Sequence, residues 1–329
     1  MRDFKLVFDT YRGTLEALEG VDFTVHSGEC LGIVGETGCG KSATARALLG
    51  FIEHPGRVTG GEILFEDRDI LKLSASELRR LRGNEISLIF QDAKKALNPT
   101  VLVGVQMMES ARANRRVSRG DARKAAHRAL LQVGLADPER IMSSHAFELS
   151  GGMAQRVMIA MAIVGEAKLI VADEPTSALD VSIQAQILTV MREARISTGS
   201  SLILITHDLG VAAENCDRVA VMYAGRVVEI GAVDEVFDRP AHPYTQRLIG
   251  ALPKPGSDRL EAIPGTVPDL VNPPPGCRFA NRCEKATAIC YSNRPALTRF
   301  SPRHEAACHH PVNRCETDTA CPEDLNANA

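Results

Sequence analysis

The chain has 329 residues, 44% hydrophobic and 24% charged, with a net charge of −3. That length allows one large domain or two unequal ones, and the composition is ordinary for a soluble globular protein with a full core. The near-neutral balance excludes a broad basic field for nucleic acid, and 4% aromatic residues with no Trp argue against a base-stacking surface.

The opening Met1-Arg2-Asp3-Phe4-Lys5 carries no apolar signal core. The most apolar stretch, residues 157–165, stops at Glu166 and is too short to cross a bilayer. A soluble, cytosolic chain is expected. Its nine cysteines are unevenly spread: Cys30, Cys39 and Cys216 are scattered, whereas Cys277, Cys283, Cys290, Cys308, Cys315 and Cys321 crowd the last 53 residues. In a reducing compartment such clustering points to a metal or iron–sulfur site before disulfides.

Residues 5–8 and 18–25 alternate or run apolar, like two strands of an antiparallel sheet. Between them Phe8 and Tyr11 each offer a ring that could stack on a nucleobase or pack as a half-buried strand residue. Residues 30–34 (CLGIV) read as a buried strand. Gly35-Glu36-Thr37-Gly38-Cys39-Gly40-Lys41-Ser42 follows, in the form G-x-x-x-x-G-K-S, and residues 43–49 are good helix formers. Strand, glycine-rich turn and helix start are the setting in which this pattern cradles phosphates. The glycines let N–H groups turn inward, Lys41 supplies a point charge to the β- and γ-phosphates, and the Ser42 hydroxyl can ligate Mg²⁺.

Residues 60–66 read as a turn and then a strand. Ser74 is a helix N-cap with Glu77 three residues on, opening a basic helix through Arg82. Residues 86–90 form another apolar strand, which ends in Gln91; Asn98-Pro99 closes that segment. From 101 to 148 the pattern is helical throughout, with helices over 101–113, 119–133 and 138–142 forming an insert in an α/β domain. Seven Arg or Lys residues between Arg112 and Arg128 fit a solvated helix face better than a docking surface.

Leu149-Ser150-Gly151-Gly152-Met153-Ala154-Gln155-Arg156 then enters an apolar helix, placing Ser150, Gly151 and Gly152 at a helix N-terminus suited to an anion. Lys168–Ala172 is an apolar strand that ends in Asp173-Glu174. Alternation aims the two carboxylates apart, one toward Mg²⁺ and the other toward a water poised for attack. Ser177-Ala178-Leu179-Asp180 precedes a long helix over 181–196, and strand 201–205 ends at Thr206-His207-Asp208. Ligands gather at such strand ends in open α/β sheets, which makes His207 a γ-phosphate candidate. Residues 219–223 and 226–230 read as a hairpin.

These motifs, in this order, resemble the ATP-binding subunits of ABC transporters over roughly residues 4–253. The resemblance implies an α/β P-loop ABC-type nucleotide-binding domain: a RecA-like mixed-sheet core, an antiparallel β subdomain and a helical insert at about 98–160. Gly35 to Ser42 would be the Walker A loop. Asp173 would be the Walker B magnesium carboxylate, sharing the metal with Ser42 and Gln91. Glu174 would be the general base, His207 the switch histidine, Gln91 the Q-loop glutamine, and Tyr11 a candidate adenine contact. Ser150 to Gly152 belong to the signature motif and Asp180 to the D-loop. The family pattern also implies a split site, in which the signature of one subunit closes over ATP held by another. A second, identical or homologous ATPase subunit, two membrane permease subunits and an extracytoplasmic solute-binding protein are the implied partners, with no nucleic acid and a place on the cytoplasmic face of the membrane. Cys39 within the loop predicts that ATP protects against inactivation by thiol alkylation.

A narrower resemblance, to importers of di- and oligopeptides, nickel and related solutes, rests on Phe90-Gln91-Asp92, Leu97-Asn98-Pro99 and His242-Pro243-Tyr244-Thr245-Gln246-Arg247-Leu248. Ala93 stands where that subfamily usually has proline. Residues 254–276 carry six prolines and read as a linker. Beyond it Cys277, Cys283, Cys290 and Cys308 are separated by gaps of five, six and seventeen residues. That spacing is similar to the four-cysteine tail of dipeptide-permease ATPases, which holds a 4Fe–4S cluster. From the residues alone, iron–sulfur, zinc and no metal all stay open, although the C-x2-C pairs usual for zinc are missing. The division expected is a nucleotide-binding domain at 1–253 and a Cys-rich extension at 254–329. The competing function, a soluble ABC ATPase remodelling nucleic acid or ribosomes, fits less well. Only 106 residues separate Ser42 from Leu149 and there is one cassette.

Overall fold

The computed structural model describes residues 1–113, 117–177, 179–252 and 263–313. Cys315 and Cys321 with the rest of residues 314–329, Ala178 and part of the linker lie outside the described residues.

β1 (Arg2–Thr10) and β2 (Gly13–Val21) form an antiparallel hairpin turned at Tyr11-Arg12. β3 (Cys30–Val34) leads through the glycine-rich turn into α1 (Lys41–Leu48). β4 (Gly56–Glu62) returns beside β1 and completes a sheet in the order β2-β1-β4. The turn expected at Gly60-Gly61 therefore lies within a strand. At Gly61 φ is +78° and a Cβ would stand 2.3 Å from the Asp3 carbonyl oxygen, so glycine is there for close backbone pairing rather than for a reversal. A small hairpin, β5 (Leu64–Phe65) and β6 (Arg68–Asp69), follows. α2 (Ala75–Leu81) opens with the expected capping box: Glu77 N–H donates to the Ser74 hydroxyl, and Ser74 N–H to the Glu77 carboxylate at 2.8 Å.

After β7 (Ile86–Ile89) come α3 (Ala93–Ala96), α4 (Val103–Arg112), α5 (Arg119–Gln132), α6 (Pro138–Met142) and α7 (Gly151–Val164). They share one apolar core through Val103, Met107, Ala122, Ala126, Leu130, Ile141 and Val157. Alanine every third or fourth residue lets α5 sit close to its neighbours, while Arg119, Arg123, Lys124 and Arg128 face solvent.

β8 (Leu169–Asp173), α8 (Val181–Thr198), β9 (Ser201–Thr206), α9 (Leu209–Asn215), β10 (Arg218–Tyr223) and β11 (Arg226–Ala232) build the main sheet. α10 (Val233–Asp238), α11 (Pro243–Gly250), α12 (Ala288–Ser292), β12 (Thr298–Ser301) and β13 (His304–Ala306) complete the described chain. The order is β12-β13-β11-β10-β3-β9-β8-β7, with β10, β3, β9, β8 and β7 parallel. β3 and β9 are buried at every position, as strands covered on both faces must be. Each fully buried Leu or Ile there contributes about 2 kcal/mol.

The Cys-rich extension is continuous with this sheet rather than set apart from it. β13 pairs antiparallel with β11, Ile230 opposite Glu305. Glu229, fully buried beneath that join, accepts from Ala241 N–H at 2.6 Å, His242 N–H at 2.8 Å and His304 Nε2 at 2.7 Å. A buried carboxylate is tolerable only when its oxygens are satisfied in this way. Residues 263–276 form no helix; Leu270 accepts from Glu16 N–H at 2.8 Å, which lays the segment along β2.

Candidate nucleotide site

The loop between β3 and α1 is shaped by its glycines. A Cβ at Gly35 (φ +150°) would lie 2.1 Å from the Met222 carbonyl oxygen, and one at Gly40 (φ +106°) 2.7 Å from a Leu18 methyl. At Gly38 nothing lies within 4 Å, so this part of the loop is open. Lys41 Nζ donates to the carbonyls of Gly35 at 2.7 Å and Glu36 at 3.2 Å, which curls the side chain back over the loop. Thr37 and Gly38 form the outward bend.

The remaining polar groups stand at the C-terminal ends of neighbouring parallel strands. Ser42 Oγ donates to Asp173 Oδ1 at 3.1 Å. Burial raises the Asp173 carboxyl above its usual range, opposed by the Ser42 bond. Glu174, just past β8, adopts φ +47° and its N–H donates to Ile205 O at 2.9 Å, so its backbone is anchored to β9. One oxygen accepts from Gln91 Nε2 at 3.2 Å and the other lies 3.4 Å from His207 Nδ1. Gln91 also donates to Ser177 Oγ at 3.1 Å. The sheet order thus brings Gln91, Glu174, Ser177 and His207 into one polar set beside Ser42 and Asp173.

Other candidate residues stand apart from that set. Tyr11 is 99% exposed at the hairpin tip, whereas Phe8 packs on the core and against Gly56, which leaves Tyr11 as the available ring. Ser150 caps α7 by accepting from Met153 N–H at 3.2 Å, with Gly151 exposed beside it. A Cβ on Gly152 would be 3.0 Å from an Ile183 methyl, so glycine permits the close approach of α7 and α8. Asp180 caps α8, and the Ile183 N–H followed by the Ser182 hydroxyl holds its carboxyl below the usual range. Among the described residues, no hydrogen bond joins Ser150, Gly151 or Gly152 to the loop at 35–42.

Cys39 corrects one expectation. Its side chain is 1% exposed beneath the loop, burial raises its thiol, and its Sγ sits 3.9 Å from Lys41 Nζ. Native Cys39 is therefore expected to resist iodoacetamide with or without ATP, and to label fully once the protein is denatured, as read by peptide mass spectrometry. Rapid native labelling that ATP blocks would restore the protection reading.

Cys277, Cys283, Cys290 and Cys308 line one small cavity together with His242, Phe279 and His310. All four are free thiols. Burial raises Cys277, Cys283 and Cys308, the last to about 12, and in each the neighbouring cysteines add to the effect. Among the described residues, no three Cys, His, Asp or Glu side chains are drawn together tightly enough to hold a metal ion. The donor set fits a soft metal; its present spacing is looser than a ligated one.

Sequence patterns did not reveal what the extension does at the loop. Arg282 forms a paired ion bridge to Glu36, and the Tyr244 hydroxyl accepts from Glu36 N–H at 2.9 Å. Arg278 donates to the Ala224 carbonyl and bridges Glu16 and Glu19. Both arginines lie in the gap between Cys277 and Cys283, which is the only hint the sequence carries.

Two family descriptions match: the ABC transporter over residues 18–177, and the oligopeptide/dipeptide transporter C-terminal region over 228–290. The chain is 46% identical to a probable peptide ABC transporter ATP-binding protein of Sinorhizobium fredii, over 94% of this chain and 93% of that one. It is 45% identical to the dipeptide transport ATP-binding protein of Bacillus subtilis, over 96% and 95%. The solved post-hydrolysis dimer of an ATP-binding cassette bound to ADP and Pi superposes with a TM-score of 0.64 at 26% identity, covering 70% of this chain and 97% of that one. The chain accordingly belongs to the ATP-binding subunits of ABC transporters, in the oligopeptide and dipeptide family, and is an ATP-hydrolysing enzyme.

Proposed function

We propose that this subunit powers import of a di- or oligopeptide or a related small solute, with ATP held between two cassette subunits. The observation that carries the peptide reading is the match at residues 228–290 together with near full-length relatives named for peptide transport. The alternative of a nucleic-acid or ribosome ATPase has no such support.

In this reading the N–H groups of residues 35–42 cradle the phosphates, and Lys41 exchanges its bonds to the loop carbonyls for phosphate oxygens. Ser42, Asp173 and Gln91 would hold Mg²⁺, which when bound would neutralise charge on the phosphates. Glu174 takes the proton of the attacking water, and His207 contacts the γ-phosphate and senses its loss. Tyr11 stacks on the base. Ser150, Gly151 and Gly152 of each subunit close over the nucleotide of the other, with Asp180 near the seam. Closure on ATP and opening after hydrolysis give a two-state motion for the permeases to follow. Residues 1–253 form the nucleotide-binding domain and 254–329 the extension. No described helix is long and apolar enough to cross a membrane, so attachment at the cytoplasmic face would run through the two permease subunits, fed by an extracytoplasmic solute-binding protein. Reconstitution with those permeases should give ATP turnover stimulated by peptide-loaded binding protein; turnover indifferent to peptide would reject the substrate class.

For the four cysteines we propose a 4Fe–4S cluster, which would cross-link the extension. Supporting it is one cavity lined by four free thiols, soft ligands suited to iron and sulfide. Anaerobically purified protein should absorb near 400 nm and contain iron and sulfide; stoichiometric zinc without either would overturn the assignment.

A further inference from the structure

Glu36, the second residue of the phosphate loop, is fixed at three points. Its N–H donates to Tyr244 Oη at 2.9 Å, its carbonyl accepts from Lys41 Nζ at 3.2 Å, and its carboxylate is gripped by Arg282. The grip is bidentate, with Nη1 to Oε2 at 2.7 Å and Nη2 to Oε1 at 3.0 Å. The other Arg282 donors are also committed: Nε to Pro264 O at 2.8 Å, Nη2 to Ile263 O at 3.2 Å, and Nη1 to Tyr223 Oη at 3.2 Å. The side chain is 4% exposed. A planar fork satisfied along both edges has one orientation available to it.

A carboxylate at this place is otherwise a liability. Glu36 stands beside a loop built for polyphosphate, where an unpaired negative charge repels the ligand and is free to swing the loop. We propose that Arg282 is a positioning residue for ATP binding. It neutralises Glu36 and holds that end of the loop so that its N–H groups stay convergent. The C-terminal extension is then part of its own chain's nucleotide site. This rests on residues 35–42 being the ATP phosphate loop; it does not depend on what the cysteine cavity holds.

The test is ATP affinity, KM and kcat in Arg282→Met, Arg282→Lys, Glu36→Gln and the Glu36→Gln/Arg282→Met pair, with thermal unfolding measured in parallel. Arg282→Met should raise the ATP dissociation constant about tenfold, the loss falling on KM rather than kcat. Arg282→Lys, which keeps the charge but not the fork, should fall between. The double variant should bind ATP no worse than Arg282→Met, because the unpaired carboxylate is gone. Three results would overturn the proposal: an unchanged ATP affinity in a destabilised Arg282→Met, which would leave the arginine as a mere dock for the extension; losses that add in the double variant; or wild-type affinity in Arg282→Lys and Arg282→Met alike. Wild-type protein that fails to bind ATP would instead reject the phosphate-loop assignment beneath it.

Discussion

Glu174→Gln is expected to lower ATP turnover by about 10²- to 10⁴-fold, the range a positioned general base supplies, with little change in ATP affinity. The substitution keeps the volume and an acceptor oxygen for Gln91 Nε2, now 3.2 Å away. It removes the negative charge and the capacity to take a proton, and turns an amide NH2 toward His207 Nδ1, which now lies 3.4 Å from the carboxylate. The backbone should not respond, because Glu174 N–H is tied to Ile205 O at 2.9 Å irrespective of the side chain. With binding intact and cleavage blocked, ATP should hold two subunits together, so gel filtration with Mg-ATP should show a dimer that wild-type protein forms only transiently. Phosphate release within a few-fold of wild type would remove Glu174 from the role and turn attention to His207, 3.4 Å from it.

Gly35→Ala should lose both stability and nucleotide binding. The added methyl would meet the Met222 carbonyl oxygen at 2.1 Å and Cys39 Sγ at 2.9 Å, at a φ of +150° that side chains rarely adopt. Met222 cannot yield easily, since β10 is held between β3 and β11. Overpacking and backbone strain together cost about 3 kcal/mol or more, a large part of the roughly 5–15 kcal/mol that keeps a domain folded. The Gly35 carbonyl is also where Lys41 Nζ rests at 2.7 Å, so a displaced loop misplaces the charge proposed to meet phosphate. Urea unfolding should show a lower midpoint at unchanged slope, and ATP titration no saturation. An unchanged midpoint would mean that the loop relaxes around the methyl.

Much of the candidate site's local structure was legible because its signals are local. The run from Gly35 to Ser42, the Asp173-Glu174 strand end, the Ser74–Glu77 capping box and the Ser150 cap each involve residues a few positions apart. There, backbone geometry and side-chain type meet over a short stretch of chain. Gly60-Gly61 misled for the same reason. Glycine pairs mark turns on local grounds, but here Gly61 serves a neighbouring strand, and that neighbour is invisible to spacing. Cys39 misled as well: its place in the loop says nothing of the tertiary packing that leaves it 1% exposed.

By itself the sequence determined the type and order of the chemical groups: a phosphate loop, two strand-end carboxylates, a glutamine, a histidine and a cluster of thiols. Only the tertiary structure decided which of them meet. Sheet order set Gln91 and His207 against the two oxygens of Glu174. The joining of β13 to β11 carried the extension onto the sheet and brought Arg282 to Glu36, 246 residues away. Contacts that distant follow from how elements pack, and a pairing between two ordinary charged residues leaves no periodicity or spacing to be read in advance.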